Sequence, residues 1–396
     1  MRPSQGGLGF DRLVGEAQRR TGLSDFGPDT WQEGLGVLVK ALDEEAALTT
    51  AGEVTLAERI VEQLVQRLKF EHSWNEHPEI ADEHILSPVV GVGLGRTGSN
   101  ALGFVMAQDP ARRVLRAFEA MEPSPPENLA QVGTDADPRI AKAQAEHETR
   151  QRDFPETMDK VPVNEDGRGP TECVFLLAFD FRSQLFEAWG RIPSYSTWLF
   201  ACDMTPAYDI HRRILQMLQW QCGPKKWFIR SPPHMHGIFE LGRVYPDARF
   251  VQTHRNVDAM IPSEAALFSA FLTPMTADPD EPYLGRHLAE VRVECLRRLM
   301  AFRDDGREDR FFDIGFYDMQ ADAMGQIRKL YTWLGDDLSD VAAQRMGKWW
   351  QENSAERQGA REYDPARYGV EPEDLRQRFA FYHDRYPDLV WPRTRT

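Results

Sequence analysis

The 396-residue sequence lacks three features that would each assign it to a broad class of proteins: paired cysteines, a long apolar run and a surplus of basic residues. It has 47 Lys and Arg against 62 Asp and Glu, which gives a formal net charge of −15. Surfaces that bind nucleic acid need clustered Lys and Arg, so we expect no nucleic-acid partner. A small anionic ligand is still compatible, because a local basic pocket can lie inside an acidic surface.

The sequence also lacks the patterns of a membrane span, a secretion signal and a metal site. No apolar run approaches the ~18 residues of a membrane span, and the N-terminus lacks the apolar stretch of a secretion signal. The four cysteines form no CxxC pair, which is typical of thiols in a reducing cytoplasm. The histidines, at positions 72, 77, 84, 234 and 236 among others, show no metal-site spacing. We therefore expect a cytoplasmic protein with no transmembrane segment and no bound metal.

The length exceeds the roughly 250–300 residues at which one hydrophobic core usually stops growing, so additions to a single core are expected. Residues 1–27 are Gly-rich and polar, which predicts a loosely attached arm. Apolar residues from about 30 to 70 recur at helical spacing. Thr49 or Thr50 can cap the second of these helices. The interpretation is an N-terminal arm and helical extension over residues 1–85, followed by one domain over residues 86–396.

The later part of the chain alternates short apolar runs with helical patterns. The predicted strands are Val89–Val92, Lys226–Ser231, Ala248–His254 and Phe311–Ile314. Strands that alternate with helices indicate an α/β fold with a parallel sheet covered on both faces.

The central stretch of the sequence is residues 87–100, which read SPVVGVGLGRTGSN. A β-branched run is followed by glycines at 91, 93, 95 and 98, and then by an apolar helical pattern that begins at Ala101. Strand, glycine loop and helix together point backbone N–H groups and a helix N-terminus at an anion. The stretch predicts a phosphate-bearing ligand.

Three ligand classes compete for this loop. Against the GxxxxGK[ST] pattern, Ser99 and Asn100 replace the Lys and the Mg²⁺-binding hydroxyl that a nucleotide hydrolase needs. The glycines at 93, 95 and 98 match GxGxxG, so an NAD(P)-binding Rossmann-type oxidoreductase is an alternative. The third class is a phosphate loop whose cation lies inside it: the planar guanidinium of Arg96 suits phosphate or sulfate oxygens. Such a site needs no metal, which suits sulfuryl transfer.

These residues resemble those of a known family. The segment 93–100 is similar to the 5′-phosphosulfate loop of sulfotransferases that use 3′-phosphoadenosine 5′-phosphosulfate (PAPS). Arg255 and Ser263, eight residues apart at the start of a helix, resemble the family's clamp for the 3′-phosphate. The resemblance is closest to the bacterial branch and extends over about residues 86–385. Its further matches are Asp109-Pro110, Phe118-Glu119-Ala120, Thr171-Glu172-Cys173, Pro193–Trp198, Trp227–His234, Tyr245–Arg255 and Gly359–Tyr363.

The resemblance implies a P-loop NTPase-like three-layer α/β fold, helix-rich, with a parallel central sheet. It implies that sulfuryl passes from PAPS to a hydroxyl of a small-molecule, lipid or glycan acceptor, in line and without a metal. The residues implied to bind the cofactor are Gly95, Arg96, Thr97, Gly98, Ser99, Asn100, Arg255, Ser263, Arg357 and Gly359. A homodimer is an open alternative to a monomer.

Four residues are candidates for the chemistry itself. Arg96 would bind the 5′-phosphosulfate and offset charge that grows on the bridging oxygen, and Arg230 would hold the sulfuryl group or the leaving phosphate. Glu119 is the first candidate for the general base, and His234 is the second, because charge on Arg230 would lower the pKa of its imidazole. Asn100 stands where the family usually has Thr, and Arg361 where His is expected. A catalytically inactive protein that binds the cofactor is therefore a further alternative.

Overall fold

A computed structural model describes residues 7–160, 166–358 and 363–392, with the backbone alone for residues 354–358. The strands are β1 (Val89–Gly93), β2 (Arg112–Val114), β3 (Lys226–Arg230), β4 (Arg249–His254) and β5 (Phe311–Gly315). The α-helices are α1 (Phe10–Thr21), α2 (Thr30–Glu45), α3 (Thr50–Glu76), α4 (Ser99–Met106), α5 (Ala117–Met121), α6 (Pro138–Asp153), α7 (Pro155–Lys160), α8 (Val174–Leu177), α9 (Pro193–Ala201), α10 (Thr205–Trp220), α11 (Ile238–Val244), α12 (Val257–Leu272), α13 (Glu281–Asp304), α14 (Phe316–Ala321), α15 (Ala323–Leu334), α16 (Asp340–Gln358), α17 (Pro372–Arg378), α18 (Ala380–Arg385) and α19 (Pro387–Val390).

The five strands form one parallel sheet in the order β2-β3-β1-β4-β5. The register places Val90 of β1 opposite Ile229 of β3 and Phe250 of β4. The four strands predicted from apolar runs are all present, and β2 is an additional strand at one edge. Because β1 lies between β3 and β4, the segments that follow these three strands meet at one edge of the sheet, where ligands of open α/β folds bind.

Side chains alternate along each strand, so the sheet has two apolar faces. Val90 and Phe250 belong to a large hydrophobic core that includes α10, α11 and α13. Val89 and Val251 belong to a second core with α4, α15 and α16. The predicted three-layer, helix-rich α/β architecture is confirmed.

The N-terminal segment differs from the prediction of a loosely attached arm. Phe10–Thr21 form helix α1, whose Leu13 and Ala17 are buried. The prediction was wrong because residues 10–21 are mostly polar and only one narrow face of this helix is apolar. Helices α1–α3 share the large core with the sheet. The boundary at residue 85 stays a prediction, and among the described residues the helices before it and the sheet after it share one core.

Helix α3 begins as the sequence suggested. Thr49 is its N-cap, and the Thr49 hydroxyl accepts a hydrogen bond from the N–H of Gly52 at 3.0 Å. Within the described part of the chain, no helix is both long enough and apolar enough to cross a membrane. All four cysteines are free thiols.

Candidate active site at the carboxyl edge of the sheet

The glycine-rich segment after β1 folds into a loop that only certain residues can form. Gly93 and Gly98 have φ of +116° and +88°, in the region that L side chains rarely adopt. A Cβ at Gly93 would lie 2.6 Å from the carbonyl oxygen of Thr253. Arg96 also has a positive φ, +62°, although it is not glycine. The loop therefore holds Arg96 in a conformation that costs of order 1–3 kcal/mol, an arrangement found mainly at functional sites.

Thr97 fixes the shape of this loop. Its hydroxyl donates to the carbonyl oxygen of Leu94 at 2.6 Å and lies 2.6 Å from the hydroxyl of Thr253. The side chain is buried, at 1% exposure. Thr97 therefore ties the loop to the end of β4, and its hydroxyl already has two protein neighbours.

The two segments that the sequence assigned to the cofactor are in direct contact. Nε of Arg96 donates to the hydroxyl of Ser263 on α12 at 3.0 Å. Nη1 of Arg255 donates to the carbonyl oxygen of Arg96 at 3.0 Å. The guanidinium of Arg255 also stacks on the ring of Phe316 at 4.2 Å, and burial lowers the pKa of this arginine. Cationic and hydroxyl groups 167 residues apart in the chain thus lie on one surface.

Arg230 ends β3 and is buried beside the loop, at 2% exposure. Its Nη1 donates to Glu172 at 2.7 Å, and its Nη2 donates to the side-chain oxygen of Asn100. A Cβ at Gly103 of α4 would overlap Nε of Arg230. Arg230 therefore joins the start of helix α4 to the segment that carries Glu172.

The remaining residues that the sequence assigned to the cofactor lie in the loop, at the start of α4 and in the C-terminal segment. Ser99 and Asn100 begin α4, so their N–H groups belong to its first turn. A Cβ at Gly95 would lie 2.9 Å from Oε1 of Glu264. Gly359 lies outside the described residues, and so does the side chain of Arg357.

Glu119 lies in the first turn of α5 and is 5% exposed. Its carboxylate accepts from Nη2 of Arg113 at 2.7 Å and from the N–H of Arg116 at 3.1 Å. The second bond belongs to the cap at the start of α5. Because β2 ends at the same edge of the sheet as β3, Glu119 lies on the site's side of the fold.

His234 is fully buried, and its Nδ1 lies 3.0 Å from the hydroxyl of Tyr208. The pKa of His234 is well below its ordinary value, but the main cause is burial, with a smaller contribution from His211. The expected cause, the charge of Arg230, was wrong. A base must reach the acceptor hydroxyl, and this ring has no exposed surface in the present conformation.

Two carboxylates at the site were not among the candidate catalytic or cofactor-binding residues. Glu172 pairs with Arg230, and Glu264 pairs with Arg292 at 2.7 Å in a buried ion pair. Both lie next to residues that the sequence pointed to, Cys173 and Ser263. The sequence shows that each carboxylate is next to a predicted residue. It does not show the arginine that each carboxylate binds, because that arginine lies 28 or more residues away.

The sheet order separates this protein from dinucleotide-binding folds. In the Rossmann order 3-2-1-4-5, the second strand lies beside the first. Here β3 takes that position and β2 lies at the edge. The parallel sheet in this order and the glycine loop between β1 and α4 define a P-loop-like α/β protein.

Comparison with known proteins identifies its family. The model of the sulfotransferase family matches residues 88–340, which is more than half of the chain. The chain therefore belongs to the sulfotransferase family of enzymes, as the resemblance predicted.

Two solved structures agree with this assignment over nearly the whole chain. Sulfotransferase STF9 from Mycobacterium avium is 27% identical, covers 100% of both chains and superposes with a TM-score of 0.89. Sulfotransferase STF1 from Mycobacterium tuberculosis is 30% identical over 94% of this chain and 98% of the other, with a TM-score of 0.83. A curated relative, omega-hydroxy-beta-dihydromenaquinone-9 sulfotransferase Stf3 of Mycobacterium bovis, is 29% identical over 155 residues. That match spans 37% of this chain and 39% of the relative.

Proposed function

We propose that the protein transfers a sulfuryl group from PAPS to a hydroxyl group. The observation that carries this proposal is the contact between Arg96 in the loop and Ser263 on α12, with Arg255 bonded to the loop carbonyl of Arg96. One surface thereby offers cations and hydroxyls to two phosphate groups of one nucleotide. When bound, the donor supplies the sulfuryl group and leaves as 3′-phosphoadenosine 5′-phosphate (PAP).

The residues of the loop have distinct proposed tasks. Arg96, the N–H groups of residues 97–100 and the N-terminus of α4 bind the 5′-phosphosulfate. Arg230 offsets charge that grows on the bridging oxygen as the sulfur–oxygen bond breaks. Arg255 and Ser263 bind the 3′-phosphate, which distinguishes this donor from NAD and from adenosine 5′-phosphate. The proposed roles of Arg357 and Gly359 follow from the resemblance alone.

Glu119 is the proposed general base that takes the proton of the acceptor hydroxyl. It is an acidic side chain beyond the end of β2, next to the strand that carries Arg230. Arg113 balances its charge, and the N–H of Arg116 orients one oxygen. General-base catalysis of this kind contributes roughly 10²–10⁴-fold to a rate.

A direct test of the donor is nucleotide binding. The expected result is a rise in melting temperature and a measurable heat of binding with PAP, and neither effect with NAD(H). Protection by NAD(H) and none by PAP would refute the proposed donor. Release of PAP from PAPS only when an alcohol is present would separate an active enzyme from a protein that binds the nucleotide without turnover.

The Glu119→Gln variant tests the base. The amide can still accept the N–H of Arg116, so the cap of α5 is retained. The expected result is a fall in kcat of about 100-fold or more with an unchanged Kd for PAP. Glu122→Gln is the matched control, because this neighbouring acid pairs with Lys69 and Lys142 instead. A Glu119→Gln enzyme at full rate would move the base role to another residue.

The acceptor is proposed only by class, as a small molecule, lipid or glycan with a hydroxyl. The relative Stf3 is named for an omega-hydroxy-dihydromenaquinone, so hydroxylated lipids with long apolar chains are the first acceptors to test. Labelled sulfur transferred from PAPS to lipid extracts, with sugars and phenols as comparison sets, would identify the class. Cytoplasmic location and a homodimer stay predictions.

A further inference from the structure

Three buried side chains behind the proposed active site face one another. Cys173 precedes α8, His211 lies on α10, and His234 lies in the turn after β3. All three are 0% exposed. The sulfur atom and one ring nitrogen of each histidine all lie within 4.8 Å of one another. Three segments distant in sequence thus bring one thiol and two imidazoles to a common point.

The outer nitrogen of each ring is held by a buried tyrosine. Nδ1 of His211 lies 2.8 Å from the hydroxyl of Tyr245, and Nδ1 of His234 lies 3.0 Å from that of Tyr208. Histidines that bind metals are oriented in the same way, by a hydrogen bond from the nitrogen that does not bind the ion. When Nδ1 donates to the tyrosine, Nε2 keeps a lone pair that can bind a metal ion.

The inner nitrogens have no protein partner. Nε2 of His211 and Nε2 of His234 are buried and make no hydrogen bond. A buried polar atom left in this state costs about 1–3 kcal/mol. A cation held between the two rings would give both nitrogen atoms a partner. Neutral imidazole is the form that binds metal ions.

We propose that Cys173, His211 and His234 bind one soft or borderline metal ion of the Zn²⁺ or Cu⁺ kind. Sulfur and imidazole nitrogen are the donors these ions prefer, whereas Mg²⁺ and Ca²⁺ require oxygen. Binding releases the thiol proton of Cys173 to solvent and forms a metal–thiolate bond, with no change of oxidation state. With Zn²⁺ a water completes the four ligands, and with Cu⁺ the three protein ligands suffice. The inference revises the expectation, from sequence spacing, that no metal is bound.

The ion has a positioning role in the enzyme. Cys173 follows Glu172, the carboxylate that binds Arg230, and the N–H of Cys173 donates to the carbonyl oxygen of Arg230 at 3.0 Å. His234 lies four residues beyond Arg230. A metal would therefore hold together the two segments that position Arg230. The ion takes no part in the transfer of the sulfuryl group.

Metal analysis of the whole protein tests the site. The chain is produced without a polyhistidine tag in medium that contains zinc and copper, and metal is counted by mass spectrometry. The expected content is one zinc or copper ion per chain. X-ray absorption at the edge of that metal should give one sulfur and two nitrogen neighbours, at about 2.3 Å and about 2.0–2.1 Å for zinc. Competition between the two ions for the stripped protein identifies which one is retained.

Variants with matched controls assign the ligands. Cys173→Ser and His211→Gln should each lower the metal content at least tenfold. Cys295→Ser removes a buried thiol elsewhere, and His236→Gln removes another buried ring whose Nε2 has no hydrogen-bond partner, so both should keep the metal. Metal retained in the first two variants would overturn the assignment.

The unmodified protein keeps the proposal testable if the variants do not fold. Addition of Zn²⁺ or Cu⁺ to the metal-stripped chain should raise the melting temperature in a concentration-dependent way. A protein that contains no metal after growth with both ions, and whose melting temperature neither ion changes, would overturn the proposal. A bound metal surrounded by oxygen and nitrogen alone would do the same.

Discussion

Thr97 lies in the proposed cofactor-binding loop, but its hydroxyl bonds to the protein itself. The sequence predicted that Thr97 contacts the donor, and its backbone N–H is still assigned that role. Its hydroxyl, however, lies against Leu94 and Thr253. A residue of this kind influences binding by holding its neighbours, above all Arg96 with its positive φ, in place.

Replacement of Thr97 by Val tests this role. Val has nearly the same shape but leaves the hydroxyl of Thr253 and the carbonyl of Leu94 without their partner. We expect the free energy of unfolding to fall by about 1–3 kcal/mol and PAP to bind more weakly. Urea denaturation and calorimetry measure the two effects. Thr97→Ser keeps the hydroxyl and should lie close to the wild type; equal losses in both variants would contradict the explanation.

Arg255 gives a test of the 3′-phosphate clamp. Arg255→Ala should raise the Kd for PAP by about 10- to 100-fold, because a hydrogen bond to a charged group, worth about 1.5–3 kcal/mol, is lost. Adenosine 5′-phosphate lacks the 3′-phosphate, so its Kd should change little. Arg255→Lys keeps the charge without the planar fork and should give an intermediate Kd for PAP. Equal losses for both nucleotides would mean that Arg255 acts only through the carbonyl of Arg96.

At the scale of elements, helix α4 is shaped by a glycine that packs on Arg230. In an exposed helix, replacement of Gly by Ala stabilises by about 0.5–1 kcal/mol. Gly103→Ala should instead lower both stability and catalytic rate, because the added Cβ would overlap the guanidinium of Arg230.

Gly15→Ala in α1 is the matched control for this prediction. Gly15 is an exposed helical residue with nothing within 4 Å of the added Cβ. The Gly15→Ala variant should raise the free energy of unfolding by about 0.5–1 kcal/mol and leave the catalytic rate unchanged. Denaturation curves and initial rates for both variants decide the matter. A stable, fully active Gly103→Ala protein would show that Arg230 is free to move.

The elements that the sequence predicted correctly are those with a strong local pattern. Strands β1, β3, β4 and β5 each contain a short apolar run, and such runs can be recognised in the sequence. Strand β2 has only three residues, and two of them are arginines. Its place at the edge depends on pairing with β3 at Trp227, which lies 114 residues further along the chain.

In the candidate site too, features set by neighbouring residues could be predicted, and contacts between distant segments could not. Loop residues 93–100 were recognisable because glycine is required at fixed positions. The contact of Arg230 with Glu172 and Asn100 was not, because it depends on how β3, α4 and the segment before α8 pack in three dimensions. The burial of His234 was hidden for the same reason: α10 covers it, and nothing near His234 in the sequence indicates that helix.

At the scale of the whole molecule, we expect stability in acid to depend on the buried histidine His254. His254 is 0% exposed at the end of β4, with Nε2 2.7 Å from Asp313 and Nδ1 3.2 Å from the hydroxyl of Tyr382. Burial lowers the pKa of His254 more than Asp313 raises it. The unfolded chain therefore takes up a proton below about pH 6.5 that the folded chain does not yet bind. The free energy of unfolding should fall as the pH falls through this range.

His254→Gln should reduce this pH dependence. One titrating group contributes at most about 1.4 kcal/mol per pH unit. Urea midpoints between about pH 5 and 7.5 should fall less steeply in the variant than in the wild type. His72→Gln, at an exposed position of α3, should leave the slope unchanged. An unchanged slope in His254→Gln would show that other groups account for the acid sensitivity.

The contact between Gly103 and Arg230 has a consequence for how this sequence can vary. The atoms of Arg230 that a Cβ at position 103 would meet first are Nε and Cδ, and a lysine side chain would fill the same places. The two positions, 127 residues apart, are therefore coupled through a shared volume. In a library randomised at both positions and selected for folding, alanine or serine at 103 should occur together with a short side chain at 230, and arginine or lysine at 230 should require glycine at 103.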